Sequence, residues 1–458
     1  LKENKKFDVT IEAVKKIDIS ADRLVAALVN LPEDFRVSLL DSCRVPYLGS
    51  RYLAAGVRPV ETFYLTDENP HNALALLDKK LAGNEFFKFF TLSYDFGLKL
   101  QNIRPRKKEF PAVAEPDVYL ALYDAVIVHD YRTGETFLAG NPKRFGEIAS
   151  LLESAKSEAN ERAVEKSLIS SNFTKESYIR AVEKIHEFIR RGDTYQTNLT
   201  QQFRARLAGD LSAGKVFLRL RAGNPAPFAA FLRRGATDVV SISPERFFRI
   251  SGGRIETSPI KGTRPRGQTG AEDERLKQEL LTSAKDRAEN TMIVDLLRND
   301  IGRVCRFGSV RVDRLCDLET HPTYFHLVST VSGELREDAA FSDILRAVFP
   351  CGSITGAPKI STMRIIDRLE TADRGLSMGA IGYSFPNELL ENGKFEMQNS
   401  FDLNVAIRTM VVKDREAFFN VGGGVVIDSS PEGEYEETLV KARAIFRALG
   451  ADEKDLPK

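Results

Sequence analysis

At 458 residues and 42% hydrophobic side chains, the chain has enough apolar matter for a large core, and its length alone suggests two or three domains. Lysine and arginine number 66 against 65 aspartate and glutamate, so no overall charge draws the protein to nucleic acid or a membrane surface, and any anion site has to be built locally. The four cysteines, Cys43, Cys305, Cys316 and Cys351, show no CxxC spacing, the first six residues are mostly charged, and no apolar run is long enough to cross a bilayer. These features predict a soluble protein of the reducing cytoplasm.

From Phe35 to about Phe137 short β-type runs, among them VSLL from Val37, FYL from Phe63 and AVIVHD from Ala125, alternate with Pro and Gly clusters and predict a sheet-rich region. The polar stretch from Ser150 to Ser171 predicts a surface helix and a boundary between regions 1–165 and 166–458. Beyond it, Tyr178, Val182, Ile185 and Ile189 recur at helical spacing between a Thr174 cap and a Gly192 stop. Strands and helices then alternate to the C-terminus.

The segment SAKDRAENTMIVDLLRNDIG reads as a helix with Glu289 amid the apolar residues Met292, Ile293, Leu296 and Leu297. A carboxylate so placed needs either an arginine partner, with Arg287, Arg298 and Arg303 nearby in sequence, or a cation. Near the C-terminus, SSPEGEYEETLVKARAIFRALG reads as a helix capped by Ser430 with Pro431 first, and its Glu434 and Glu437, three residues apart, project from one side of the first turn. Taken alone they suit the helix dipole; taken with Glu289 and no matching His or Cys, they suit a hard cation such as magnesium.

The run FPCGSITGAPKISTMRIIDRLE passes from a Gly-rich turn into a helix at Pro358, which leaves N–H groups around Thr355 and Gly356 for an anion or simply for a helix cap. In AFFNVGGGVVID, Gly422, Gly423 and Gly424 interrupt a β-branched strand, as close ligand approach requires. Arg408 in VAIRT is placed in an apolar strand, where it either clamps a carboxylate or pairs with an internal acid.

Together SPERFF, SPIKGTRPRG, DRAENTMIVDLLRNDIGRV, HLVSTVSGEL, FPCGSITGAPK, VAIRT and GGGVVIDSSPEGEYEET resemble, in order and spacing, the chorismate-binding family of anthranilate, aminodeoxychorismate, isochorismate and salicylate synthases. The resemblance runs from about Thr174 to Leu449 and, more loosely, through LLDSCRVPYLGSRYL. It implies an α+β fold, two sheets in a sandwich flanked by helices, in which regions 1–165 and 166–458 interleave. It also implies a bound Mg2+ on Glu289, Glu434 and Glu437, with Asp286 as an outer-shell candidate.

By the same resemblance Arg408, the amides of Gly422, Gly423 and Gly424, Thr355, Gln196 and Lys441 contact substrate, while His326 faces its ring. Lys261 stands in PIKGT where anthranilate-forming members resemble PIAGT, which implies the branch that aminates chorismate at C4. In the mechanism this carries, Lys261 attacks C2 as the C4 hydroxyl leaves, ammonia then attacks C4 and expels the lysine, and Glu245 serves as general acid and base. Isochorismate and salicylate synthases resemble each other in placing a water-activating lysine at the position of Gln196, so water is disfavoured as nucleophile.

Cys351 departs from a frequent glycine, and Ser377 from a frequent tyrosine near the substrate's side chain. The segment NPAPFAAFL resembles the part of the fold that holds tryptophan in related enzymes. No glutaminase signature is present, so ammonia is expected from a glutamine amidotransferase subunit in a heterodimer. The rival readings are formation of anthranilate and a chorismate-binding regulator without turnover.

Overall fold

The structure, a computed structural model, describes residues 13–45, 50–67, 69–83, 86–110, 113–154, 166–320, 324–385 and 400–456. Among these residues the strands form two large antiparallel sheets. The first runs in the order Ala13–Ile17, Glu135–Gly140, Ala125–Asp130, Tyr52–Gly56, Ser38–Asp41, Phe228–Arg233, Asp238–Ser243, Thr409–Lys413, Glu416–Val425, Gln196–Arg206 and Gly356–Ala357. The second runs Ile260–Pro265, Tyr324–Glu334, Arg254–Ser258, Arg246–Ser251, Ser400–Val405, Ala380–Phe385, Phe87–Leu92, Val118–Tyr123 and Glu61–Leu65, and Arg311–Thr320 pairs with Tyr324–Glu334.

Residues from both sides of position 165 share each sheet. Leu39 pairs with Phe231 in the first, and Phe90 with Gly382 in the second. A core of Ala54, Val126, Ala230, Val239 and Val411 from one sheet and Phe87, Phe89, Tyr119, Tyr123 and Phe385 from the other fills the space between them. This is the expected sandwich, and helices cover its outer faces. Ala213–Gly223 and Pro431–Ala448 lie on the first sheet, Ala284–Gly302 and Phe341–Val348 on the second.

The helix Lys175–Arg190 forms as its spacing predicts. The Thr174 hydroxyl accepts from the Ser177 N–H, Tyr178, Val182 and Ile185 are buried, and Gly192 takes φ +80° just past the end. Burying each of those three side chains contributes about 1.5–3 kcal/mol. Of the predicted surface helix from Ser150 to Ser171, residues 155–165 lie outside the described residues, and the two ends differ. A helix covers Phe145–Ser154, and Leu168–Ser171 is a strand paired with Gln196–Arg206 through Ile169 and Ala205. Helical propensity there yields to the unpaired edge of a neighbouring strand. None of the described helices is long and apolar enough to cross a membrane, and all four cysteines are free and buried.

Candidate active site

At two adjacent points where the chain passes between the two sheets, the link carries a candidate residue. Asp238–Ser243 belongs to the first sheet and Arg246–Ser251 to the second, with Glu245 in the link; Ser400–Val405 and Thr409–Lys413 change sheet in the opposite direction, with Arg408 in theirs. The links brace each other: the Val405 N–H donates to the Glu245 carbonyl at 3.0 Å and the Ile242 N–H to the Arg408 carbonyl at 3.1 Å. Glu245 is buried with Oε1 lacking a hydrogen-bond partner among the described residues. Burial pushes its carboxyl up to about 7, against the pull of the Ser353 hydroxyl and the Lys261 ammonium. It therefore exchanges a proton near neutrality, as a general acid and base requires.

Arg408 is corrected from strand to link: its φ is +48°, and it follows the end of Ser400–Val405. Among the described residues its guanidinium has no carboxylate or hydrogen-bond partner, and burial, partly offset by Tyr324, lowers its pKa. Among the described residues, therefore, no internal ion pair holds it there. A desolvated, uncommitted guanidinium is a receptor for a carboxylate.

Lys261 lies on the strand Ile260–Pro265 at a bulge, where Lys261 pairs with Leu327 and Thr263 with His326, leaving Gly262 as the extra residue. Thr263 Oγ1 and His326 Nδ1 are 2.8 Å apart, and the His326 ring packs on Tyr324 with centroids 4.3 Å apart. Facing the lysine is the triple-glycine strand, paired with Gln196–Arg206 through Leu199 and Gly423. A Cβ on Gly424 would collide with the Gln196 amide and lie 3.5 Å from Lys261 Nζ. On Gly423 it would lie 2.8 Å from Glu434 Oε2 and 3.2 Å from Glu437 Oε1. The missing side chains thus leave room for four functional groups around one strand.

Glu434 and Glu437 meet at this strand, and Glu289 lies near enough to feel the charge of Glu437. Burial raises the pKa of Glu289 and of Glu434, and each also feels Glu437 as a like charge. Burial would raise Glu437 as well, but the Lys441 ammonium, 2.6 Å from its Oε1, together with Lys261 and Lys285, brings it below the usual carboxylate range. Lys441 also donates to the Gly422 carbonyl at 3.0 Å. Among the described residues no group of three His, Cys, Asp or Glu side chains stands ready to hold a metal ion. The donor chemistry nevertheless suits a hard cation: buried Glu434 Oε2 lacks a hydrogen-bond partner among the described residues, and at Glu437 a lysine ammonium stands where a cation would be welcome.

One sequence expectation changes, and two further residues are placed. The Thr355 N–H, expected to face outward, bonds to the Gly352 carbonyl at 3.3 Å, and its hydroxyl donates to the Cys351 carbonyl at 3.0 Å. Gly356–Ala357 pairs with Gln196 and Thr197, and the helix begins at Lys359, so the proposed open anion cradle is taken up by the sheet edge. Asp286 is held by Arg264 at 3.1 Å. Ser377 is buried against main chain, accepting from the Asn420 N–H at 3.2 Å. Sequence reading also missed Tyr324, Thr263 and Lys285; only their neighbourhood to His326, Lys261 and Glu289 in sequence pointed to them.

A separate cavity of about 120 Å³ lies between the sheets, lined by Tyr52, Pro227, Phe228, Arg246 and Tyr383. It includes part of the NPAPF segment and none of the candidate catalytic residues.

The sequence pattern of the chorismate binding enzymes matches residues 48–447. The chain belongs to this family. It is 40% identical to anthranilate synthase component 1 of Aquifex aeolicus, over 73% of this chain and 68% of that one. It is likewise 40% identical to aminodeoxychorismate synthase component 1 of Escherichia coli, over 78% of this chain and 75% of the relative. Among solved structures, anthranilate synthase component I of Streptococcus pneumoniae superposes with a TM-score of 0.72 at 27% identity, covering 88% of this chorismate-binding chain and 94% of the other.

Proposed function

We propose that the chain is component I of aminodeoxychorismate synthase, a transferase that converts chorismate and ammonia to 4-amino-4-deoxychorismate for para-aminobenzoate and folate. Relatives of both amine-forming kinds stand at the same 40% identity, so the choice rests on the site. The observation that carries it is Lys261, whose Nζ would lie 3.5 Å from a Cβ on Gly424, across from Gln196.

In this reading Arg408 grips a substrate carboxylate and orients the ring under His326. Lys261, as the neutral amine, forms a bond to C2 while both ring double bonds shift by one position and the C4–O bond breaks, the hydroxyl leaving as water with the Glu245 proton. Ammonia then bonds to C4, both double bonds return, the C2–lysine bond breaks, and the surplus proton of the new amine passes to Glu245. Bound through Glu289, Glu434 and Glu437, Mg2+ would supply positive charge to a substrate carboxylate. Gln196 offers no base to activate water, which favours ammonia as the incoming nucleophile.

The names of the relatives as component 1 support a second component, and a glutaminase subunit is the chemically apt supplier of ammonia. A cytoplasmic setting fits the free cysteines.

The test is product identification by mass after incubation with chorismate, magnesium and an ammonium salt. Aminodeoxychorismate retains the enolpyruvyl group; fluorescent anthranilate with release of pyruvate would overturn the assignment. Lys261→Ala should abolish the covalent adduct, and unchanged turnover in that variant would rule out the lysine's role.

A further inference from the structure

The strand carrying Lys261 comes closest to the start of helix Ala284–Gly302 at Gly262. Gly262, the extra residue of the bulge, takes φ +78°, and a Cβ there would lie 2.9 Å from Leu280 Cδ1 and 3.0 Å from Asp286 Cβ. The bulge backbone is thus seated directly on Asp286. The Asp286 N–H donates to the Ser283 hydroxyl at 3.2 Å, which fixes the residue in the first turn. Its Oδ2 accepts from Arg264 at 3.1 Å, and Arg264 Nε donates to Glu279 Oε1 at 2.7 Å. Arg264 lies three residues after Lys261 on the same strand, so its guanidinium ties that strand to both helices covering it, Gly270–Thr282 and Ala284–Gly302.

A bulge is where a strand's register is set, and a slip of one residue turns each side chain to the opposite face. Here a slip would carry Lys261 away from Gly424 and Thr263 away from His326. We infer that Asp286 and Arg264 are positioning residues for Lys261: their contact, with Gly262 clamped against Asp286, locks the bulge that aims the lysine into the site. This rests on Lys261 as the reacting amine. It differs from the outer-shell cation role that the sequence suggested for Asp286, since the carboxylate is engaged by Arg264 on the strand side.

The two roles separate in full-length protein carrying Asp286→Asn, Arg264→Gln, both together, or Arg264→Lys. Three quantities are measured: turnover of chorismate with ammonium at saturating magnesium, the rate at which an amine-reactive reagent labels Lys261 at one fixed pH, read by peptide mass, and the affinity for Mn2+ by calorimetry. Positioning predicts that each single variant lowers kcat roughly ten- to a hundredfold with KM nearly unchanged, since small misplacements of a reacting group cost about that much. Both should alter Lys261 labelling alike, the double variant should be no worse than either, and Arg264→Lys should recover part of the rate. Mn2+ affinity should stay within about twofold of the parent, the scatter expected of uncoupled sites. The inference is overturned if Asp286→Asn weakens Mn2+ binding while Arg264→Gln does not, or if Arg264→Gln leaves labelling and rate at the parent level. Because labelling needs no amination, a parent protein that makes no aminated product would refute the assigned reaction while this test still stands.

Discussion

Gly424 and Lys261 face each other at contact distance: the side chain that the glycine lacks would stand 3.5 Å from the lysine nitrogen and in collision with the Gln196 amide. Gly424→Ala should therefore lower kcat/KM roughly 100-fold, through displacement of Gln196 into the space beside Lys261, and cost about 1–3 kcal/mol of stability through overpacking. Steady-state kinetics and a denaturant melt check both. Gly270→Ala, at a helix start with open space around it, is the control expected to change neither.

Glu245 gives a pH signature whose sign is fixed by burial. Its folded pKa of about 7 lies above the usual carboxylate range, so between that range and neutrality the folded chain holds a proton that the unfolded chain has released. Stability from this group is present in acid and is lost as pH rises through about 7. Glu245→Gln should accordingly be more stable than the parent at about pH 8, by roughly 1–3 kcal/mol, with the advantage gone near pH 4. The same substitution should lower kcat about 10²–10⁴-fold. Melting curves at the two pH values and a pH–rate profile decide it.

Arg408 distinguishes binding from structure. With no internal partner among the described residues to lose, Arg408→Gln should leave the melting temperature unchanged or raised while increasing KM for chorismate at least ~30-fold, the loss of a charge-assisted pair of about 2 kcal/mol or more. A large drop in melting temperature with KM intact would show that the guanidinium serves the fold instead.

Glu434 and Glu437 predict a cation effect. Both lie within about 3.2 Å of the place a Gly423 Cβ would take, and like charge at such range is relieved by a divalent ion. Magnesium at about a hundred times its Kd should stabilise the protein by about 2.7 kcal/mol. In Glu434→Gln the metal-free protein should melt higher than the parent, and the gain on adding magnesium should shrink. Thermal melts with and without chelator measure it, and an equal magnesium gain in both proteins would remove Glu434 from the site.

The elements and the candidate residues were unequally legible. Periodicity and caps located the helix of Tyr178, Val182 and Ile185, because local spacing and a Thr174 hydroxyl are written in neighbouring residues. Glu289 stood out as a carboxylate beside apolar residues, and Glu434 and Glu437 as a pair. The strand Leu168–Ser171 is not legible locally, because its conformation comes from Gln196–Arg206, a partner more than twenty residues away for every pair. Around Thr355 the local pattern suggests an open cradle, but the N–H partner is supplied by a turn, and Gly356 has a partner strand that no local pattern announces.

What the sequence determined by itself is the chemical inventory: a lysine in PIKGT, acids with no His or Cys beside them, three glycines where a strand wants side chains, and the set of motifs that marks the family. What only the tertiary structure decided is which of these groups meet. Two of the links between sheets bring the Glu245 and Arg408 backbones side by side, a bulge at Gly262 seats the Lys261 strand on Asp286, and burial brings the Glu245 carboxyl to about 7. Local sequence encodes propensity and side-chain chemistry, whereas burial and pairing arise from residues tens to hundreds of positions apart, and those long-range contacts set the proton affinities and distances on which the reaction depends.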